Sequence, residues 1–401
     1  MTESFDLFLG YNNIDDNSRK FEVIRNIFKL GWECPTIVQS NVIPKILGDF
    51  SDIIFQAPSG QGKTGAFLIP LIWKMPENYT GIYAVILLPT RELAQQVFNV
   101  AKALTENTDI ELLHFIGKIP DKDNSTEMIK RRNKPLILIG TLGKLHKISN
   151  NYKIVTDYFV VDEADNFFTG KEDSIIEIMS LFSNITDNLT HVIFSSATYS
   201  DSVKKFIEHE TGNNKLFHND AVIIYKDNEE ITLDGINQRY ILVNYSNHIY
   251  SKIMEYKAED LISVINDFCV TKSVIFVNTI NNAMIVHRTL TNNEFSSAVI
   301  HGEMDQSKRT EIINKFKRNQ INYLIATDLI ARGIDITDIS HVFNLEIPKS
   351  AETYIHRIGR SGRHGRVGTA ISIVTDNDLE LLQKYCENYS AKLEALCEPD
   401  I

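Results

Sequence analysis

Residues 52–64 read Asp-Ile-Ile-Phe-Gln-Ala-Pro-Ser-Gly-Gln-Gly-Lys-Thr, a short apolar run followed at once by a loop with two glycines. The run Asp52–Gln56 predicts a buried parallel strand, because such strands are apolar on both faces and do not alternate. Glycines allow successive backbone N–H groups to surround an anion, and the N-terminus of a following helix attracts the same charge. These residues therefore predict a strand, a phosphate-binding loop and a helix, in that order.

The loop matches the P-loop pattern, although Ala57 stands where that pattern begins with glycine. In the pattern the lysine reaches the β- and γ-phosphates of a nucleotide, and the next hydroxyl binds Mg²⁺. A flexible glycine-rich turn is the alternative interpretation, but the order of strand, loop and helix favours a nucleotide site. Thr64 is therefore a predicted magnesium ligand. The residues expected to hold the nucleotide are Ser59, Gly60, Gln61, Gly62, Lys63 and Thr64.

Apolar runs of the same kind recur through both halves of the chain. They are Tyr83–Leu88, Leu136–Ile139, Tyr158–Val161 and His191–Phe194, and then Ile241–Tyr245, Ser273–Val277, Ser297–Ile300, Tyr323–Ala326, His341–Leu345 and Thr369–Val374. Because helix-length segments separate these runs, they predict an α/β protein with two doubly wound parallel sheets. A polar stretch between the halves indicates a linker. We predict domain 1 over residues 1–218, the linker over residues 219–235 and domain 2 over residues 236–401.

The composition fits two globular domains and excludes several protein classes. The chain has 401 residues and a net charge of -11, so any nucleic-acid site must be a local basic groove on an acidic body. The four cysteines show no C-x-x-C pair and no zinc spacing, which indicates reduced thiols. No apolar run reaches the roughly eighteen residues that span a bilayer. We therefore expect a soluble intracellular protein without membrane insertion.

Two acidic residues, Asp162 and Glu163, follow the predicted strand Tyr158–Val161. A carboxylate at the end of a buried strand can hold Mg²⁺, and its neighbour can orient and deprotonate an attacking water. Two acids at a strand end are more often a solvated cap, but here a P-loop lies in the same half of the chain. We predict Asp162 as a magnesium ligand and Glu163 as the catalytic base, with Lys63 completing the catalytic group.

The second half contains His356-Arg357-Ile-Gly-Arg360-Ser-Gly-Arg363, in which arginine recurs at every third position. Arginines spaced in this way present forked donors on one side of a helix and its end. An arginine supplied to a γ-phosphate stabilises the charge that spreads over the transition state. A basic helical face is usually just solvated, yet this run lies in an acidic chain and contains two glycines. We predict that Arg360 and Arg363 contact ATP and assist catalysis as arginine fingers.

Together these motifs resemble the DEAD-box family of RNA helicases, and they follow in the family's order. They are the Q motif at Gly31–Gln39, PTRELA at Pro89–Ala94, D-E-A-D at Asp162–Asp165, SAT at Ser196–Thr198, and segments similar to motifs IV, V and VI in the second half. The resemblance implies two tandem RecA-like domains joined by a short linker. It also implies RNA-stimulated hydrolysis of ATP, with Mg²⁺ as the metal and single-stranded RNA as the partner.

The resemblance also implies roles for individual residues. Gln39 would read the adenine and Asp335 would bond the ribose, while Ser196 and Thr198 would couple hydrolysis to domain movement. Phe8 and Tyr11 are candidates for an aromatic residue that stacks on adenine. The residues expected to contact RNA are Thr90, Arg91, Thr141, Gly143, Gly302, Arg309, Thr327, Arg332 and Gly333.

Two branches of the family fit the chain. Asn166 after the tetrad, the segment Leu233–Leu242 and the segment Leu382–Cys386 resemble the branch that exports mRNA at the nuclear pore. That branch would act on mRNPs with a nucleoporin and an export activator, in the cytoplasm, at the pore or in the nucleus. A short N-terminus also fits the translation-initiation branch. We predict a monomeric mRNA-export helicase, with the translation-initiation helicase and a slow ATP-dependent RNA clamp as alternatives.

Overall fold

The computed structural model describes residues 4–10, 18–48, 52–57, 60–116, 129, 133–152, 154–168, 172–185, 190–199, 201–212, 216–218, 220–224, 236–244, 252–328, 339–361, 368–389 and 391–396. The chain forms two compact units, Met1–Tyr225 and Lys226–Ile401. Each unit is built on one parallel sheet. The predicted α/β class with two doubly wound sheets is confirmed.

The sheet of the first unit is parallel throughout its described part. Its strands are β1 (Ile53–Gln56), β2 (Gly81–Leu88), β3 (Glu111–Phe115), β4 (Pro135–Thr141), β5 (Thr156–Val161), β6 (His191–Ser196) and β7 (Val222–Ile224). They lie in the order β3-β4-β2-β5-β6-β1-β7. Because side chains alternate along a strand, Ile53 and Phe55 enter the core on one face of the sheet and Ile54 enters the core on the other.

Helices cover both faces of this sheet. They are Phe5–Phe8, Arg19–Lys29, Ile37–Leu47, Lys63–Lys74, Arg91–Leu104, Leu142–Asn151, Asp165–Phe168, Glu172–Ile185 and Asp201–His209. The helix Ile37–Leu47 begins with a capping box, in which the Thr36 side chain accepts from the Gln39 backbone and the Gln39 side chain accepts from the Thr36 backbone. This box fixes the Q motif at the start of a helix.

The start of β1 is held by Asp52, whose carboxylate is fully buried. Its Oδ1 accepts from the backbone N–H of Val192 at 2.6 Å, and its Oδ2 accepts from the backbone N–H of His218 at 2.6 Å. The Asp52 carbonyl also accepts from the backbone N–H of Val222 at 2.8 Å. One residue therefore ties β1 to the start of β6 and to the segment that leads into β7.

The second unit repeats the architecture. Its strands are β8 (Ile236–Leu242), β9 (Ser273–Phe276), β10 (Ser297–Ile300), β11 (Tyr323–Ala326), β12 (His341–Asn344), β13 (Gly368–Val374) and β14 (Leu393–Ala395), in the order β10-β11-β9-β12-β13-β8-β14. Its helices are Ile253–Asp267, Ile280–Asn292, Gln306–Lys317, Ala351–Ile358 and Asp376–Glu387. Ile275 of β9 faces one core, and Val274 and Phe276 face the other.

Each predicted run overlaps a strand, although Ile241–Tyr245 shares only its first two residues with β8 and Tyr245 lies outside the described residues, and three strands were not predicted. These are β3, β7 and β14. β3 lies at the edge of its sheet with half-exposed positions, and β7 and β14 have three residues each, so none contains a long apolar run. β7 lies within the residues predicted as linker, and β8 begins at Ile236, five residues before the predicted run. The domain boundaries stay a prediction. None of the described helices is long and apolar enough to cross a membrane.

Candidate functional site

The nucleotide motifs of the first unit meet at the carboxyl edge of its sheet. β1, β6 and β5 are neighbours, and the P-loop, the SAT motif and the D-E-A-D tetrad follow their last residues. Backbone hydrogen bonds continue past the strands, from Ala57 N to Ser196 O at 3.0 Å and from Ala164 N to Ser195 O at 3.0 Å. In open parallel sheets ligands bind beyond this edge. The three motifs therefore converge where a nucleotide would bind.

Lys63 is the first residue of the helix Lys63–Lys74 and is buried. Its Nζ donates to the Ala57 carbonyl at 2.9 Å and lies 3.1 Å from Oε1 of Glu163. The predicted phosphate-binding cation and the predicted base thus form a buried ion pair. A buried charge needs such a partner, because desolvation without one is costly.

Gly62 requires glycine for two reasons. Its φ of 84° is left-handed, and a Cβ at this position would lie 2.7 Å from Gln39 Nε2 and 3.0 Å from Thr36 Oγ1. The Q motif also bonds the loop directly, since Thr36 Oγ1 donates to the Gln61 carbonyl at 2.9 Å and Gln39 Nε2 donates to the Gly62 carbonyl at 3.2 Å. The Q motif therefore packs against the P-loop, and the adenine-reading role of Gln39 stays a prediction.

Asp162 and Glu163 differ in environment although they are adjacent. Oδ1 of Asp162 accepts from the backbone N–H of Glu163 at 2.9 Å and from the hydroxyl of Ser195. Burial and the neighbouring Glu163 carboxylate raise the pKa of Asp162 to about 6, against the opposing effect of Lys63. Glu163 has a left-handed φ of 51°, and its Oε2 is buried without a hydrogen-bond partner among the described residues.

The oxygen groups at this edge suit a magnesium ion. Mg²⁺ prefers hard oxygen ligands and retains waters, and Thr64 and Asp162 offer a hydroxyl and a carboxylate. With Oδ1 of Asp162 bonded to the protein, Oδ2 is the oxygen available for a metal or its water. The unpartnered Oε2 of Glu163 is available for a second water. The donor set therefore fits the predicted ion.

The SAT motif is bonded to the last acid of the tetrad. Thr198 Oγ1 donates to Asp165 Oδ2 at 2.7 Å, the Asp165 N–H donates to Ser196 Oγ at 3.2 Å, and Ser196 Oγ donates to the Thr198 carbonyl at 2.8 Å. All three residues are buried. A movement of the segment after β6 would therefore displace the acidic segment after β5, which is the connection that a coupling role needs.

Ser195 is a site residue that the sequence analysis missed. It is fully buried and donates to the predicted magnesium ligand Asp162, but a serine directly before the SAT motif matches no motif itself. Residues that orient a metal ligand typically change metal affinity 10–100-fold when replaced. Its place in the strand Ile-Phe-Ser-Ser could have been noticed as a polar residue inside a buried run.

We expect Ser195→Ala to raise about tenfold the Mg²⁺ concentration that half-maximally tightens ADP binding. The reason is that Asp162 loses one of the two bonds that hold its Oδ1. Titration of Mg²⁺ into the chain with ADP, followed by calorimetry, measures this. Ser273→Ala is the matched control, because Ser273 is also fully buried at a strand and its hydroxyl has no partner in the described residues. Equal Mg²⁺ dependence of both variants would contradict the role.

The predicted RNA residues of the first unit lie further along the same edge. Thr90 and Arg91 follow β2, and Thr141 ends β4. In the order β4-β2-β5-β6-β1 these strands are displaced from the P-loop strand, at about 4.8 Å per strand. Thr90 caps the helix Arg91–Leu104, and Gly143 is exposed with open space where a Cβ would lie. The nucleotide and RNA candidates are therefore neighbours on one edge.

The second unit places its candidates at the corresponding edge. Gly302 follows β10. Thr327 follows β11, and its backbone N–H donates to the Ile300 carbonyl at 3.4 Å. Arg309 is buried in the helix Gln306–Lys317, and Arg360 is buried just past the helix Ala351–Ile358.

Phe8, in the first unit, packs edge-to-face on the buried Phe5. The predicted residues Ser59, Arg332, Gly333, Asp335 and Arg363, and Tyr11, lie outside the described residues.

Two family models match the chain. The DEAD/DEAH box helicase model matches residues 36–206, and the helicase conserved C-terminal domain model matches residues 256–365. The ATP-dependent RNA helicase eIF4A of Pyricularia oryzae is 36% identical over 390 residues, which cover 96% of this chain and 92% of that protein. Both findings span the P-loop, the tetrad and the arginine segment.

Solved structures of the yeast helicase Dbp5 share the fold. S. cerevisiae Dbp5 bound to RNA and ADP BeF3 has a TM-score of 0.81 at 25% identity, covering 99% of this chain and 96% of that chain. A Dbp5 variant bound to a Gle1 variant and IP6 has a TM-score of 0.75 at 25% identity, covering 100% and 96%. The two sheets are thus two tandem RecA-like domains, as predicted. The chain belongs to the DEAD-box family of ATP-dependent RNA helicases.

Proposed function

We propose that this helicase hydrolyses ATP on single-stranded RNA at the carboxyl edge of its first sheet. The observation that carries the proposal is the buried group of Lys63, Asp162 and Glu163, in which a cation, a carboxylate and a second carboxylate with a free oxygen converge. Glu163 orients and deprotonates the attacking water, and Lys63 binds the β- and γ-phosphates. Thr64 and Asp162 would hold Mg²⁺, which would neutralise phosphate charge.

The second domain supplies the remaining ATP contacts in this proposal. Arg360 and Arg363 contact the γ-phosphate in the hydrolysing state, and Asp335 contacts the ribose, as the family resemblance implies. Gln39 reads the adenine from the first domain. Because neither domain holds all of these groups, hydrolysis depends on the domains acting together. RNA favours that state, which is the differential binding that coupling requires.

In this proposal the protein binds RNA through contacts to the sugar-phosphate backbone of the RNA. Two of the predicted contacts of the first domain, Thr90 and Gly143, lie at helix starts, which suit phosphate and 2′-hydroxyl groups. Such contacts carry little sequence information. The protein therefore acts on many single-stranded RNAs and releases strands or bound proteins as ATP is hydrolysed.

We expect single-stranded RNA to stimulate ATP hydrolysis about tenfold or more, and DNA of the same sequence to stimulate it weakly. The 2′-hydroxyl is the group that distinguishes the two. Steady-state hydrolysis by the purified chain, with RNA, with DNA and with neither, measures this. Equal stimulation by DNA would contradict the RNA role. ATP-dependent RNA binding without stimulated hydrolysis would favour the slow clamp.

The cellular role proposed is mRNA export, by a monomer acting in the cytoplasm or at the nuclear pore. The likeness of Asn166 and Leu233–Leu242 to the export branch supports this role, as does the fold likeness to Dbp5 across nearly the whole chain. A nucleoporin and an export activator are the proposed partners, and the Dbp5 variant bound to a Gle1 variant and IP6 supports a protein partner for this fold.

Translation initiation is the second candidate, and the 36% identity to eIF4A favours it. The two roles are separated by expressing the chain in yeast depleted of Dbp5 or of eIF4A. Rescue of growth and of poly(A) RNA export in the first strain alone supports the export role. Rescue of the second strain alone would assign the chain to initiation.

A further inference from the structure

The Arg357 side chain is fully buried, whereas Arg360 of the same motif keeps a small exposed fraction. Arg357 lies in the helix Ala351–Ile358. Its guanidinium also lies over the Phe276 ring, 5.4 Å from the centroid. Each of the three guanidinium nitrogens donates to a protein acceptor: Nε to Asp328 Oδ1 at 2.6 Å, Nη1 to the Glu346 carbonyl at 2.6 Å and Asn344 Oδ1 at 3.5 Å, and Nη2 to Asn278 Oδ1 at 2.7 Å.

These acceptors lie at the carboxyl ends of three adjacent strands. Asn278 follows β9, Asp328 follows β11, and Asn344 and Glu346 end or follow β12, while the sheet order is β11-β9-β12. A single side chain therefore joins three loops at the edge that contains the predicted RNA and nucleotide residues. A planar guanidinium with five N–H donors can make this connection, whereas an ammonium group has three donors on one atom.

A second set of bonds fixes the same loops. Oε2 of Glu346 accepts from the backbone N–H of Asn278 at 2.8 Å, and Oε1 accepts from Asn282 Nδ2 at 3.0 Å. Asn278 Nδ2 donates to the Ile347 carbonyl at 3.0 Å. The loops after β9 and β12 are thus bonded to each other as well as to Arg357. Buried polar networks of this kind select one arrangement, because any other leaves a charge without a partner.

Asp328 connects the network to the segment that contains predicted RNA and ribose contacts. It is the last described residue before the segment 329–338, which contains the predicted RNA residues Arg332 and Gly333 and the predicted ribose contact Asp335. Arg357 lies three residues before the predicted finger Arg360. The Arg357–Asp328 ion pair therefore connects the start of the RNA-contacting segment with the helix that leads into the fingers.

We propose that Arg357 is a positioning residue. It links the segment that begins at Asp328 to the end of the helix Ala351–Ile358, so that both segments respond to RNA together. It contacts neither ATP nor RNA, and it sets the position of the groups that do. This inference rests on the proposed RNA-stimulated hydrolysis. It differs from the finger role of Arg360 and Arg363, because all three guanidinium nitrogens of Arg357 donate to acceptors inside the second unit.

The test compares Arg357→Lys, Asp328→Asn and the double variant in the full chain. We expect each single variant to raise about tenfold the RNA concentration for half-maximal stimulation and to lower the maximal rate by about the same factor, because a charge-assisted bond is lost. The double variant should be no worse than either single variant, since both break one connection. ADP affinity without RNA should stay at the wild-type value. Arg288→Lys is the control, because exposed Arg288 pairs with Glu255 in the same unit.

Asn278→Ala keeps the test valid if Arg357→Lys fails to fold. It removes one acceptor and leaves the ion pair, and it should give the same RNA defect at smaller size. The proposal is wrong if the losses of the two single variants multiply in the double variant, or if all variants keep the wild-type dependence on RNA. It is also wrong if ADP affinity without RNA falls by as much as the apparent RNA affinity. A wild-type chain without any RNA stimulation would instead contradict the proposed function.

Discussion

Glu163→Gln should lower the maximal rate of RNA-stimulated ATP hydrolysis about a thousandfold, while ATP-dependent RNA binding is retained. The amide cannot accept the proton of the attacking water, but it preserves the size and shape of the side chain. The variant also removes the charge that faces Lys63, so Lys63 stays available for the phosphates. Without turnover the chain should remain on RNA. Steady-state hydrolysis and the lifetime of the RNA complex in the presence of ATP measure both effects.

The control for this variant is Glu177→Gln, an exposed carboxylate on the helix Glu172–Ile185 of the same domain. It should hydrolyse ATP at the wild-type rate. If Glu163→Gln hydrolyses ATP within a few-fold of wild type, another group removes the proton and the assignment of the base is wrong. If RNA binding is lost with hydrolysis, the carboxylate has a structural role instead.

Arg363→Ala should reduce RNA-stimulated turnover about a thousandfold or more, the effect typical of a lost arginine finger. The guanidinium stabilises charge that develops on the phosphoryl oxygens only in the transition state. ADP binding without RNA should therefore change little. A comparison of the maximal rate with the ADP dissociation constant separates these two effects.

Arg288→Ala is the control for this variant too, because it removes an exposed arginine of the same domain without touching the motif. A large loss of ADP affinity in Arg363→Ala would show that this arginine holds the nucleotide in the ground state. Turnover close to wild type would mean that Arg360 alone acts as the finger.

The sheets were predictable because their central strands are buried on both faces. β2 and β5 are continuous apolar runs that end in polar loops, and this pattern determines both strand position and the edge at which ligands bind. The short edge strands β7 and β14 have no such signal, since three half-exposed residues resemble any loop. Their pairing depends on neighbours distant in sequence.

The site was predictable where spacing reflects backbone geometry. Gly62 is needed by its left-handed φ and by the close approach of Gln39, so the glycine appears in the motif itself. Ser195 and Arg357 act through partners 33 and 29 residues away in the sequence, so no local pattern reveals them. The regular arginine spacing predicted finger roles for Arg360 and Arg363 but gave Arg357 no role, and its role becomes visible only through the partners of its buried side chain.

The pairing of β7 with β1 connects the last described strand of the first unit directly to the strand that leads into the P-loop. β7 is the last described element of the first unit, and Val222–Ile224 hydrogen-bonds along Ile53–Phe55 of the strand that leads into the P-loop. Asp52, at the start of β1, adds a further bond to this pair, because its carbonyl accepts from the backbone N–H of Val222. The strand that leads into the P-loop is therefore also the anchor of the last described strand of the first unit, so the two ends of this unit's fold meet on one strand.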